Sequence, residues 1–173
     1  SSPANAISPE EASTSYDTYA STYDNLDGGS LASSLGIDDA RQTLLSQASG
    51  NVLEIGVGTG LNLDSYNYKN IKSLTCVDIS EGMLSQAKIR INNQLKDATA
   101  ANTDIKFVKA DATSELITLF GDEAFDTVVD TFSLCVMGND GAKQCLDQMT
   151  GVVKMDTGSI LLIENTRANN PLL

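Results

Sequence analysis

Three glycines at alternating positions are the residues of this sequence best suited to holding a ligand. Gly56, Gly58 and Gly60 directly follow a largely apolar stretch, residues 52–55, of the kind that forms a buried β-strand. Glycine has no Cβ, so such a turn can adopt positive φ and bring its backbone N–H groups close to a bound group. The pattern predicts a loop for a nucleotide-type cofactor. A dinucleotide fingerprint would carry its third glycine at the position where this chain has Leu61.

An acidic residue stands at the end of the next predicted strand. Residues 73–77 form this strand candidate, and Asp78 follows it, 18 residues after Gly60. A βαβ unit places an acid at about this distance, at the tip of its second strand. A carboxylate in that position can accept hydrogen bonds from both hydroxyls of a ribose. The sequence therefore predicts Asp78 as a ribose ligand.

The glycine loop and the acid before it carry a resemblance to a known family. With Glu54 two residues before Gly56, the pattern acidic-x-Gly-x-Gly-x-Gly resembles motif I of the class I S-adenosylmethionine-dependent methyltransferases. The resemblance implies that S-adenosylmethionine is the cofactor. It also implies that the three glycines hold its methionine end, that Asp78 binds its ribose and that Glu54 is one of the cofactor-binding residues.

The resemblance continues at two later positions. A third strand candidate, residues 104–110, ends in Asp111 and Ala112. In the family an acid here reaches the adenine amino group, and a carboxylate can only accept from such a donor. Asp111 can also cap a helix predicted to start near Thr113, and both roles can hold together. Met83, after the predicted helix cap Ser80, either packs on the adenine face or simply packs in the core.

Predicted strands and helices alternate along the chain, which favours a single α/β domain. The further elements that we predict are a helix at 37–48, a helix at 81–95, a strand at 124–135 and a strand at 159–163. Connections of this kind imply a doubly wound, mostly parallel sheet, similar to the Rossmann-like class I methyltransferases. Because the sequence stops at Leu173, we expect the last two strands of that fold to be missing. Residues 16–173 would then form a methyltransferase-like domain that is incomplete at its C-terminus.

The N-terminal region divides into two predicted parts. Residues 1–15, rich in Ser, Ala, Pro and Glu, are expected to form a flexible arm. From residue 16 a Tyr-Asp-rich segment places Tyr16, Tyr19 and Tyr23 on one helical face. This segment resembles a helix that lies over the cofactor pocket in the ubiquinone/menaquinone C-methyltransferase group. The alternative is an amphipathic helix that packs its aromatic rings on the core.

The composition excludes several classes of site. The chain has 23 acidic and 11 basic residues and a formal net charge of −12, which argues against binding nucleic acid or an anionic membrane. Histidine is absent, which removes Ser-His-Asp and Cys-His catalysis and most zinc enzymes. Cys76, Cys135 and Cys145 lack CxxC spacing, so we expect reduced, mostly buried thiols and no metal site. No apolar run is long enough for a transmembrane segment.

Two further segments resemble a narrower branch of the family, found in mitochondria and plastids. They are Leu-Asp-Gly-Gly at residues 26–29 and a C-terminal segment at residues 164–173. The resemblance implies an organellar location. One departure is the turn at residues 153–158, where the family usually has Leu-Lys-Pro-Gly-Gly.

These observations lead to two functional hypotheses. The first is methyl transfer from S-adenosylmethionine to a small-molecule or protein acceptor, by direct displacement at the sulfonium methyl group. No catalytic residue can be named; Asp130 is a candidate base, although a buried structural role fits it better. The alternative is a non-catalytic subunit of a larger respiratory or photosynthetic complex, with a protein partner that covers the exposed edge of the fifth strand.

Overall fold

A computed structural model describes residues 8–21, 36–94 and 103–164 of the 173-residue chain. Within these ranges the helices are α1 (Pro9–Tyr19), α2 (Ile37–Leu45), α3 (Glu81–Gln94), α4 (Leu116–Phe120) and α5 (Gly138–Val152). The strands are β1 (Gly50–Ile55), β2 (Ile71–Asp78), β3 (Asp104–Lys109), β4 (Thr127–Thr131) and β5 (Ser159–Ile163). Three short 3₁₀ helices cover Leu63–Ser65, Tyr68–Asn70 and Leu134–Val136.

The five strands form one parallel sheet in the order β3-β2-β1-β4-β5. β1 lies at the centre, with Ile55 opposite Val77 of β2 and Asp130 of β4. Along the chain, β2 and β3 are added on one side of β1, and β4 and β5 are then added on its other side. Loops that leave β1 and β4 therefore diverge and open a crevice at the carboxyl ends of the strands. The predicted α/β, doubly wound, Rossmann-like fold is confirmed.

The side chains of β1 point alternately to the two faces of the sheet, and each face has its own hydrophobic cluster. Val52 belongs to the cluster on the side of α2 and α3, whereas Leu53 and Ile55 belong to the cluster on the side of α4 and α5. Successive side chains of a strand point to opposite faces, so Glu54 falls on the same face as Val52. Both faces are covered by helices, which is the reason that Val52, Leu53 and Ile55 of β1 are all apolar.

The predicted flexible arm over residues 1–15 is wrong for the part that the structure describes. Residues 9–15 belong to α1, whose first turn is fixed by a capping box: Ser8 Oγ accepts from Glu11 N–H, and Glu11 Oε2 accepts from Ser8 N–H. Pro9 occupies the first helical position, where its missing N–H has no consequence. A Ser-x-x-Glu pattern was present in the sequence and marks this start. Residues 1–7 lie outside the described residues.

The fourth strand is shorter than predicted. β4 ends at Thr131, and Phe132 adopts a left-handed conformation with φ of 63°. Its N–H donates to the Ile163 carbonyl of β5. This conformation turns the chain away from the strand direction, and the apolar residues that follow form the 3₁₀ helix Leu134–Val136 rather than more strand.

Other predictions have mixed outcomes. The fifth strand is confirmed at Ser159–Ile163, the second helix ends at Leu45 rather than 48, and the three cysteines are unpaired, with Cys135 exposed. The predictions that involve the side chain of Tyr19, and those on residue 23, residues 26–29 and residues 165–173, lie outside the described residues. In the described part of the chain, no helix is both long enough and apolar enough to cross a bilayer.

Candidate functional site

A cavity of about 450 Å³ lies at the carboxyl ends of the strands. Its walls come from the loops after β1, β2, β3 and β4, with α1 and α2 closing one side. Six of the eight predicted cofactor residues line it: Gly56, Gly58, Asp78, Met83, Asp111 and Ala112. Residues predicted from three separate strand ends thus meet around a single space.

The loop after β1 is fixed closely against the loop after β4. Gly56 has φ of 60°, and a Cβ at this position would lie 2.5 Å from Cβ of Ser133. No other residue type fits there without moving Ser133, since real Cβ atoms essentially never approach so closely. Val57 N–H donates to the Val77 carbonyl at 3.0 Å, which ties the same loop to β2. Gly58, with φ of 57°, then presents its backbone to the cavity.

Asp78 holds both neighbouring loops by its carboxylate. Oδ2 accepts from Gly58 N–H at 2.8 Å, and Oδ1 accepts from Ser80 N–H at 2.9 Å. Burial raises the pKa of Asp78, while these N–H donors act in the opposite direction. A carboxylate oxygen that accepts one hydrogen bond keeps a second lone pair, so Asp78 retains the capacity to accept from a ligand hydroxyl.

Asp111 both faces the cavity and stabilises the turn that follows it. Its Oδ1 accepts from the N–H and the hydroxyl of Thr113, at 2.9 and 2.7 Å. The predicted capping role is wrong, because α4 begins at Leu116 with Glu115 as its N-cap, and Asp111 stabilises the turn before it instead. Met83 is almost fully buried and lines the same cavity, and its N–H donates to Ser80 Oγ, which confirms Ser80 as a helix cap.

Glu54 does not line the cavity, contrary to the prediction. Because of the alternation along β1, its carboxylate points into the core on the side of α2 and α3 and is only 1% exposed. Oε2 accepts from the Tyr66 hydroxyl and Oε1 accepts from Asn62 Nδ2, both at 2.9 Å. Burial is the main reason that the pKa of Glu54 rises to about 7; hydrogen bonds from Tyr66 and Asn62 and the charge of Arg41 act against it.

Gly60 is also outside the cavity lining. Its φ is 87°, and a Cβ there would lie 2.5 Å from Cδ1 of Leu63 and 3.3 Å from Ala87 of α3. Glycine at position 60 is therefore required for close packing between the loop and α3, and not for contact with a ligand.

Arg41 of α2 and Asn62 are two cavity residues that were not predicted from the sequence. The Arg41 guanidinium lies 6.0 Å from the centroid of the ring of Phe132, which also lines the cavity. Asn62 Nδ2 donates to Thr131 Oγ1 at 2.9 Å in addition to Glu54. Nothing in the local sequence marks Arg41 or Asn62, because they approach the site only when α2, the glycine loop and β4 come together.

A pair of carboxyl groups lies behind the β4 wall of the cavity. Asp130 is fully buried and accepts from the hydroxyl of Ser133, which does line the cavity. Burial, together with the neighbouring Glu164 carboxylate, raises the pKa of Asp130 to about 8. Glu164 in turn accepts from the N–H groups of Leu134 and Cys135. Asp130 itself does not line the cavity, so its contact with the site runs through Ser133.

Helix α1 lines one side of the cavity and is anchored to the start of α3. Asp17 Oδ1 accepts from the Ser80 hydroxyl and from Gly82 N–H, and the Ser13 hydroxyl donates to the Ile79 carbonyl. These bonds place Tyr16, half-buried, in the cavity wall, as the position of the Tyr-Asp segment predicted. In the described part of the chain, no group of three or more acidic or thiol side chains is arranged to bind a metal ion.

The sequence of residues 52–156 matches the model of the protein family described as Methyltransferase domain. The chain belongs to this family. The matched residues run from β1 to the turn before β5 and so include every strand that contributes to the cavity.

A curated relative and two solved structures agree with this assignment. Phosphatidylethanolamine N-methyltransferase of Cereibacter sphaeroides is 29% identical over 123 residues, which are 71% of this chain and 55% of the relative. The chain therefore spans about half the length of that relative.

The solved DhpI-SAM-HEP complex has a TM-score of 0.71 at 18% identity, and the match covers 99% of this chain and 72% of that one. The [4+2]-cyclase SpnF has a TM-score of 0.68 at 18% identity, covering 90% and 60%. Both structures show the fold.

The packing role of Gly60 in the methyltransferase domain predicts a difference between two glycine substitutions. Gly36 also has a positive φ, 73°, but a Cβ there would meet no atom of the described residues within 4 Å. Gly36→Ala should cost only about 1 kcal/mol for the left-handed backbone. Gly60→Ala should cost roughly 1 to 3 kcal/mol more, because Leu63 is fully buried and has no space to move into. Urea unfolding of both variants measures this difference, and equal losses would contradict the packing role.

The buried carboxyl of Glu54 predicts a pH-dependent stability. Its pKa is about 7 in the folded domain, against an ordinary value of 4.5, so the folded state retains a proton that the unfolded state releases. The free energy of unfolding should therefore fall as the pH rises from 4.5 to about 7, by roughly 3 kcal/mol. Glu54→Gln removes this contribution. The free energy of unfolding of both proteins is measured between pH 4.5 and 7.5. The wild type should lose stability relative to Glu54→Gln as the pH rises, and a difference that stays constant with pH would refute the assignment.

Proposed function

We propose that this methyltransferase domain binds S-adenosylmethionine in the cavity and transfers its methyl group to an acceptor. The observation that carries the proposal is the meeting of Gly56, Asp78, Met83 and Asp111 around one space. These residues come from three strand ends and one helix, and each matches the part of the cofactor that its chemistry suits. The DhpI-SAM-HEP complex, with the same fold, contains the cofactor by name.

Each wall of the cavity suits a different part of the cofactor. The backbone of Gly56 and Gly58 would hold the methionine end, where no side chain blocks an approach. The carboxylate of Asp78 would accept from the ribose hydroxyls, and that of Asp111 from the adenine amino group. Met83 and Ala112, both almost fully buried, offer apolar surface for the adenine ring. The volume of about 450 Å³ lies in the usual range for pockets of small ligands.

The residues of the chain would act mainly by positioning. When bound, the cofactor supplies an activated sulfonium methyl group, so the protein has to align an acceptor with it and exclude water. Helix α1 excludes water from one side, through Pro9, Ala12 and Tyr16 in the cavity wall. Phe132, held in its left-handed conformation, supports the opposite wall at the end of β4.

We further propose a small molecule as the acceptor, in preference to a protein side chain. The site is a concave cavity with α1 as one of its walls, which suits a small acceptor better than a segment of another protein. The Cereibacter sphaeroides relative is named for N-methylation of a lipid amine, phosphatidylethanolamine. An organellar location and a partner on the edge of β5 stay predictions, as does the alternative of a non-catalytic subunit.

Isothermal titration of the purified chain with S-adenosylmethionine and S-adenosylhomocysteine, with NAD as the control ligand, tests the cofactor proposal. We expect binding of the first two and not of NAD. Asp78→Ala should weaken that binding by about 1.5 to 3 kcal/mol, because charge-assisted hydrogen bonds are lost. Asp64→Ala is the matched control: Asp64 is exposed, pairs with Arg90 on the surface and lies outside the cavity lining.

Each result has a distinct meaning. If the folded chain binds neither adenosyl compound, the cofactor proposal fails and the non-catalytic subunit becomes the better hypothesis. If it binds both and Asp78→Ala has the same affinity as Asp64→Ala, the cavity still binds the cofactor but the ribose assignment to Asp78 is wrong.

A further inference from the structure

Asp130 is a buried carboxyl group that has no cationic partner in the described part of the chain. It is fully buried and lies in register with Ile55 of β1, so it shares the face of the sheet that α4 and α5 cover. Oδ1 accepts from the Ser133 hydroxyl, whereas Oδ2 accepts no hydrogen bond from residues 8–21, 36–94 and 103–164. None of the salt bridges within these ranges involves Asp130. A buried carboxyl group in such surroundings favours its neutral, protonated form.

The titratable groups that face Asp130 are themselves acids. The Glu164 carboxylate, after β5, lies beside it, and the thiols of Cys135 and Cys145 approach it from the 3₁₀ helix and from α5. Burial is the main reason that the pKa of each thiol is raised, and the nearby carboxylates act in the same direction. Glu54, on the neighbouring strand, points to the opposite face of the sheet. A cation that neutralises Asp130 therefore has to come from a ligand.

Ser133 connects Asp130 to the cavity. Its side chain lines the cavity and donates to Asp130. It also lies directly beside the glycine loop, because a Cβ at Gly56 would come within 2.9 Å of Ser133 Oγ. Asp130 is in register with the last residue of β1, and neighbouring strands are about 4.8 Å apart. A charge at the end of β1 would therefore act on Asp130 across protein rather than water, which strengthens the interaction.

The proposed cofactor would bring a positive charge to this place. Its sulfur joins the methionine end to the ribose, and the proposed function assigns the methionine end to Gly56 and Gly58 and the ribose to Asp78. These residues follow β1 and β2, so the sulfur would lie at the end of β1, beside β4. The sulfur is positively charged in S-adenosylmethionine and neutral in S-adenosylhomocysteine, so the two ligands differ by one charge at this position.

We propose that binding of S-adenosylmethionine expels the proton of Asp130, whereas binding of S-adenosylhomocysteine does not. The O–H bond of the carboxyl group breaks, its electron pair stays on Asp130 and the proton passes to the solvent. This inference rests on the proposed function, which supplies the positively charged sulfur. An ionised Asp130 can serve, through Ser133, as the base considered in the sequence analysis, whereas a protonated Asp130 cannot. The methyl donor would thus prepare the base that its own transfer needs.

The affinity for S-adenosylmethionine should depend on pH through Asp130. Burial and the Glu164 carboxylate raise the pKa of Asp130 to about 8 in the free domain, and a bound cation lowers it. Below pH 8 the free domain therefore holds a proton that the complex releases. Binding should strengthen as the pH rises from 6 to 8, by at most about tenfold for each pH unit, and then level off. Titration calorimetry with both ligands between pH 6 and 9 measures this slope.

Asp130→Asn is the decisive variant, because Asn keeps an oxygen that accepts from Ser133 and does not titrate. It should bind S-adenosylmethionine about as tightly as the wild type at pH 6 and more weakly at pH 8. Comparing the two proteins with the same ligand cancels the titration of the ligand's own amino group. Asp64→Asn is the matched control, since Asp64 is exposed and lies outside the cavity lining, and it should keep the wild-type slope.

Proton release gives an independent readout. It is obtained from the difference between the binding enthalpies in phosphate and in Tris buffer at pH 7. With S-adenosylmethionine the wild type should release more protons than Asp130→Asn, and with S-adenosylhomocysteine the two should be equal. If Asp130→Asn does not fold, Glu164→Gln takes its place. It removes a neighbouring negative charge, so the pH-dependent rise in affinity should move to lower pH; an unmoved rise would contradict the inference.

The inference and the proposed function fail in different ways. If the folded wild type binds neither ligand at any pH, the proposed function is wrong and the inference falls with it. If it binds both ligands with the same pH dependence as Asp130→Asn, the cavity holds the cofactor but the proton linkage is refuted. The linkage is also refuted if Asp130→Asn changes the pH dependence equally for both ligands, because Asp130 then responds to an occupied cavity and not to the charge on sulfur.

Discussion

The contact between Gly56 and Ser133 determines the shape of the site. The loops after β1 and β4 leave adjacent strands in diverging directions, and this contact keeps them together at their base with no space for a side chain. Several other interactions depend on it. Ser133 is in turn bonded to the buried Asp130, and the loop after β1 reaches β2 through Val57 and Asp78. The base of the crevice is consequently formed by backbone that these contacts hold in place.

Three buried carboxyl groups surround the cavity, and burial raises the pKa of each. They are Glu54, Asp78 and Asp130, at the ends of the three central strands. A buried acid destabilises the folded state unless its oxygens are hydrogen-bonded, and most of these oxygens accept from N–H or O–H groups of nearby turns. Hydrophobic residues at these positions would stabilise the folded state more, whereas the acids hold the loops in place by their hydrogen bonds. Such a concentration of unfavourable burial is typical of a functional site.

Local signals in the sequence were sufficient for the glycine loop and for the acids after β2 and β3. A glycine needed for backbone approach and an acid at a strand tip can be recognised within about ten residues, and a parallel, doubly wound sheet follows from the alternation of elements. The direction of Glu54 was also available, because it shares a strand face with Val52, but the motif resemblance led to the opposite expectation. The Ser8–Glu11 capping box was likewise present and was masked by the polar composition around it.

Other features could not be predicted from local sequence. Arg41, 13 residues before Glu54 in the sequence, reaches the cavity only because α2 packs beside β5 and the 3₁₀ helix Leu63–Ser65. Phe132 lies in an apolar run that is typical of a continuing strand, but it adopts a left-handed conformation in which its N–H donates to the Ile163 carbonyl of β5. Both depend on tertiary packing, which overrides the preference of the local sequence.

The net charge of the chain affects the two forms of the cofactor in the proposed reaction differently. A net charge of −12, with Asp78 and Asp111 in the cavity wall, attracts a cationic ligand more than a neutral one. S-adenosylmethionine carries one more positive charge than S-adenosylhomocysteine, at its sulfur. Transfer of the methyl group therefore removes a charge at the point where the surrounding field is negative, and the product loses part of the attraction that the substrate had. The acidic composition thus favours binding of the substrate form of the cofactor over retention of its product.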